Sequence, residues 1–89
     1  MTLTNQMLDE ILEYLEKSIN NLAKESFENL EIEGGLEGIK NFLGNQFDVR
    51  LENLLVAKNS SIHHLESGMK NKVIQKKHGI ISKIMNHKN

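Results

Sequence analysis

Between Thr4 and Leu30 the apolar side chains fall at Leu8, Ile11, Leu12, Leu15, Ile19, Leu22, Ala23, Phe27 and Leu30. These are the steps of three and four that line one side of an α-helix, whereas a strand would alternate. Thr2 or Thr4 can cap the helix N-terminus, Asp9 and Glu10 stand near the positive end of its dipole, and Glu13 with Lys17 makes an i,i+4 pair. A helix of about 26 residues is about 39 Å long at 1.5 Å per residue. A helix gains most of its stability from burying such a stripe, so the chain must be one long helix plus whatever covers it.

The sequence after the stripe predicts only short pieces of cover. Gly34-Gly35 breaks the pattern, because paired glycines are poor in helices and readily supply the positive φ of a C-cap. Leu36, Ile39, Phe42 and Leu43 predict a short second helix, weakened by Gly38 and closed by Gly44, with Asn45 capping the next. Phe47, Leu51, Leu54 and Leu55 then keep helical spacing. Phe47, Val49 and Leu51 also alternate as in a strand, but Leu54-Leu55-Val56-Ala57 does not, and helix is the better reading.

Asn59-Ser60-Ser61 interrupts this helix and caps a last one with the stripe Ile62, Leu65, Met69, Val73, Ile80, Ile81 and Ile84, whose weak points are Gly68 and Gly79. Lys76-Lys77-His78-Gly79 reads as a helix C-terminus, with cations at the negative dipole end and glycine beyond them. The alternative is a hairpin joining residues 72–75 to residues 80–83.

Eighty-nine residues make a single domain, 1–89, with one thin core. Such cores contribute roughly 3–5 kcal/mol, and with no cysteine there is no disulfide to add to that. The expected fold is all-α, a small helical bundle built on the long N-terminal amphipathic helix. Since short flanking helices leave that helix under-covered, a homodimer is expected, with Leu8, Leu12, Leu15, Ile19 and Leu22 as the seam in core or interface.

Charge divides the chain more sharply than its net −1 implies. Residues 1–53 hold eleven acids against four bases, a net of −7, and residues 54–89 hold seven lysines against Glu66 alone, a net of +6. All four histidines, His63, His64, His78 and His87, lie in the basic part. The plainest consequence is that the acidic first helix lies antiparallel against the basic last one, within a subunit or between two, with complementary fields setting register. A second reading turns Lys70, Lys72, Lys76, Lys77 and Lys83 outward, onto nucleic-acid phosphates or an acidic partner. A lone Arg50 and few aromatics weaken it, since arginine forks and stacking rings carry much of nucleic-acid recognition. A third has the acidic helix imitate a nucleic-acid backbone and block a basic cleft.

Other chemistry finds little support. His64 and His78 share a helix face but stand about 21 Å apart along it, too far to share a metal ion. Gly34-Gly35-Leu36-Glu37-Gly38 follows a helix and lacks the Lys-Ser/Thr pair of a phosphate cradle. Residues 39–49 fail as a helix-turn-helix, because Arg50 stands where an apolar residue should pack. No catalytic constellation, cofactor or metal site is expected. The first choice is a small regulatory or inhibitory adaptor acting through protein contacts, and the alternative is a nucleic-acid-binding protein using the basic half. No apolar run is long enough to span a membrane and no signal peptide is evident, so a cytoplasmic protein is expected. Eleven Asn and ten Lys against one Arg point to AT-rich coding, as in a low-GC bacterium or its phage.

Overall fold

The computed structural model describes residues 3–29 and 35–87, and side chains within 3–28 and 35–86. Among these residues there are three α-helices and no strand: α1 (Asn5–Asn29), α2 (Gly35–Ala57) and α3 (Ser67–His87), with a 3-10 turn at Ile62–His64 before the last. The bundle measures 41 × 20 × 18 Å, one helix long and two helices across. The all-α expectation holds, and so does the long N-terminal helix.

Local chemistry explains how α1 begins. Thr4 accepts a bond from the Met7 amide at 3.1 Å, the N-cap geometry, so of the two candidate threonines Thr4 is the cap. Leu3, just before the cap, and Leu8, four residues after it, are both buried in the core, which makes a hydrophobic staple. Thr2, Leu30 and Gly34 lie outside the described residues.

The sequence reading goes wrong at two glycines. Gly44 was expected to close a short helix and Gly79 to end another, yet α2 and α3 run straight through them. An internal glycine costs about 1 kcal/mol relative to alanine. Leu43 and Phe47 beside Gly44, and Ile80 and Ile84 beside Gly79, are buried, and each such side chain stabilises by about 1.5–3 kcal/mol. Burial wins at both places. The hairpin joining residues 72–75 to residues 80–83 is excluded for the same reason, since α3 is continuous there. Conversely, the stop at Asn59-Ser60-Ser61 is present: Asn59 takes φ +60° while the Ser60 amide bonds the Leu55 carbonyl at 2.8 Å and the Asn59 amide bonds that of Val56 at 2.9 Å, a Schellman closure. Ile62 does not open an α-helix as expected. It sits in the 3-10 turn, where its amide donates to Glu52 Oε2 at 3.2 Å.

Because the glycines do not break them, α2 and α3 are nearly as long as α1 and cover its stripe inside one chain. Leu8, Leu15 and Ile19 are fully buried, Leu12 nearly so, and Leu22 packs partly buried against the same core. Facing them are Ile39, Leu43, Phe47, Leu51 and Leu55 from α2, and Val73, Ile80 and Ile84 from α3. The expected homodimer rested on a shortage of such cover, and the described chain has no such shortage. The first and last helices are also not antiparallel. Lys72 pairs with Asp9 and Lys76 with Glu16, so positions advance together along α1 and α3, and the two helices run parallel with α2 reversed between them.

Candidate functional site: the groove between α2 and α3

The five lysines singled out by charge fall into two groups. Lys72 pairs with Asp9 and Lys76 with Glu16 on α1, and Lys77 pairs with Asp48 on α2, each at 3.0 Å. Lys70 and Lys83 are exposed, with no ion pair among the described residues. They lie thirteen positions apart, about 20 Å along the helix. Opposite charges are thus joined within the chain, as the plain reading of the charge split expected, though in a parallel arrangement. Lys76 is one step from the core: it stands three residues after Val73 and four before Ile80, and its ion pair with Glu16 is about one-third exposed on each side. Across the α1–α2 seam Arg50 donates to the Ser18 hydroxyl. The lone arginine therefore ties the bundle together.

On its other side α3 is less well covered. A groove of about 810 Å³ runs between α2 and α3. Its α3 bank is Ile74, Lys77, His78, Ile81, Ser82, Met85 and Asn86, and its α2 bank is Lys40, Asn41, Gly44 and Asn45. Ile81 is 8% exposed yet stands apart from the core cluster, and Ile74 on the rim is 54% exposed. The Lys77 side chain lies over Gly44, with Cε 3.5 Å from where a Cβ would stand there. Ile81 Cδ1 lies 3.8 Å from the same point, so both α3 side chains pack at van der Waals distance over the glycine.

Ile74 and Met85 were absent from the residues picked out of the sequence. A signal for them exists, since Ile74, His78, Ile81 and Met85 are spaced four, three and four. That row was hidden by the expectation that Gly79 ends the helix. Two smaller hollows occur, one bounded by Met7, Tyr14 and Leu54 between α1 and α2, the other at Leu3, His64 and Met69. The first also holds Glu10 and Lys58 at its edge, and the second Ser60 and Glu66.

Among the described residues no three His, Asp or Glu side chains come close enough to hold a metal ion, and no helix is long and apolar enough to cross a membrane. No protein-family model matches the chain, no curated protein matches its sequence, and no solved structure matches its fold.

Proposed function

We propose that this chain is a non-enzymatic helical adaptor, regulatory or inhibitory, that acts by holding a protein partner in the α2–α3 groove. The observation that carries this reading is Ile74, left exposed at the edge of a groove floored by Ile81 and Met85. Apolar hollows rimmed by polar groups are where protein partners commonly anchor. The nucleic-acid alternative loses support from the same geometry. Three of the five lysines it needs already face carboxylates of the bundle, and a duplex offers nothing apolar of matching shape to fill the groove.

The test is affinity capture from the source cells with the wild type and with I74E, a change at an exposed position that leaves the core intact. A protein retained by the wild type and lost by the variant supports the proposal. Recovery of nucleic acid that I74E still holds, and that K70E/K83E releases, would replace it with the alternative.

A further inference from the structure

We infer that the groove receives an amphipathic helix whose apolar stripe is edged by carboxylates, completing the three helices to four on docking. This rests on the protein-contact reading and adds the partner's chemistry. α3 carries two neighbouring apolar rows. Val73, Ile80 and Ile84 belong to the core, and Ile74, Ile81 and Met85 each stand one residue further on, turned about 100° round the helix. With His78 between them, the second row has the four-three-four spacing by which one helix seats another. The opposite bank is low at Gly44, where Lys77 and Ile81 of α3 lie against α2 and form the floor on which a partner would rest. A helix laid along this row would cover Ile74 as α1 covers Val73.

Charge selects the edges of that helix. The groove is lined by Lys40 and by Lys77, whose partner Asp48 stands outside the lining, and by no carboxylate, whereas Glu10, Glu13, Glu25 and Glu28 are exposed on α1 against Lys17 and Lys24. A basic helix would be drawn to α1 and an acidic one turned away from it towards the groove, so the field orients the encounter as well as favouring it. The ammonium of Lys77 has three donors and already spans both oxygens of half-exposed Asp48. It can engage an incoming carboxylate from the same position.

The probes are two synthetic peptides of about 18 residues, long enough to form a helix, with the same leucine stripe and either glutamate or lysine along its edges. Titration into the full-length protein at low ionic strength, followed by fluorescence anisotropy with amide shifts to locate the site, should show the glutamate peptide binding about tenfold or more tighter. The shifts should centre on Ile74, His78 and Ile81, and the preference should shrink as salt is raised. I74E should abolish binding and K40E should narrow the preference, with helix content by circular dichroism unchanged because both positions are exposed. Binding of neither peptide in the groove overturns the inference. Equal or tighter groove binding of the lysine peptide overturns the carboxylate assignment while leaving the protein-contact reading intact. Self-association of the protein alone that I74E abolishes gives the groove to a second copy and also overturns it.

Discussion

The two long sides of α3 show how differently one helix can be partnered within one bundle. Towards α1, the row Val73, Ile80 and Ile84 is buried, and Lys72 and Lys76 reach across it to Asp9 and Glu16. Towards α2, Ile81 is buried but Ile74 is not, and Lys77 crosses a glycine to reach Asp48. Both sides carry apolar residues and ion-paired lysine. What differs is the surface opposite: α1 brings a continuous stripe, while α2 turns its own stripe to the core and leaves Lys40, Asn41, Gly44 and Asn45 facing the second row. A helix with two apolar rows and one good neighbour leaves part of its second row uncovered, here Ile74.

The largest expected effect tests whether the two sides differ energetically. Leu15→Ala or Ile80→Ala removes a fully buried side chain and should cost about 2–5 kcal/mol, enough to leave so small a bundle largely unfolded. Ile74→Ala should stay within about 0.5 kcal/mol in the same urea titration. Comparable losses at Ile74 and Ile80 would mean that the groove side is as well packed as the core side.

How far these differences could be read from the sequence depends on the signal. The α1 stripe, its Thr4 cap and the stop at Asn59 are written locally, in spacing, a hydroxyl and a residue tolerant of positive φ, and all three appear in the structure. Gly44 and Gly79 misled because helix propensity is local, while the burial that overrides it comes from residues far along the chain. Ile81 beside Gly44 is thirty-seven positions away. The charge split was visible, and the direction of the pairing was not: two acidic–basic segments attract in either orientation, and the connection through an unbroken α2 is what makes α1 and α3 parallel. The groove went unseen because its α3 bank crosses the glycine that was expected to end the helix.

Smaller effects sharpen the comparison. Lys76–Glu16 is one-third exposed and Lys72–Asp9 is more open. Double-mutant cycles to alanine should therefore give about 1 kcal/mol of coupling for the first and under about 0.5 for the second. Equal couplings would mean that the inner pair gains nothing from its partial burial. Gly79 is exposed, with open space where a methyl group would go. Gly79→Ala should stabilise by about 0.5–1 kcal/mol, raising the melting temperature by a few degrees. A fall would show that α3 breaks at Gly79 after all.

The most direct test uses the absence of cysteine, which makes single-cysteine variants unambiguous reporters of what the chain itself covers. Native-state thiol labelling of I74C should proceed close to the rate of an unstructured peptide. L15C should be slower by about a thousandfold or more, because it reacts only when the bundle opens, and its protection should not change as the protein is diluted. Equal rates at the two positions, or protection of L15C that disappears on dilution, would contradict the account, the latter by showing that a second copy covers the long stripe.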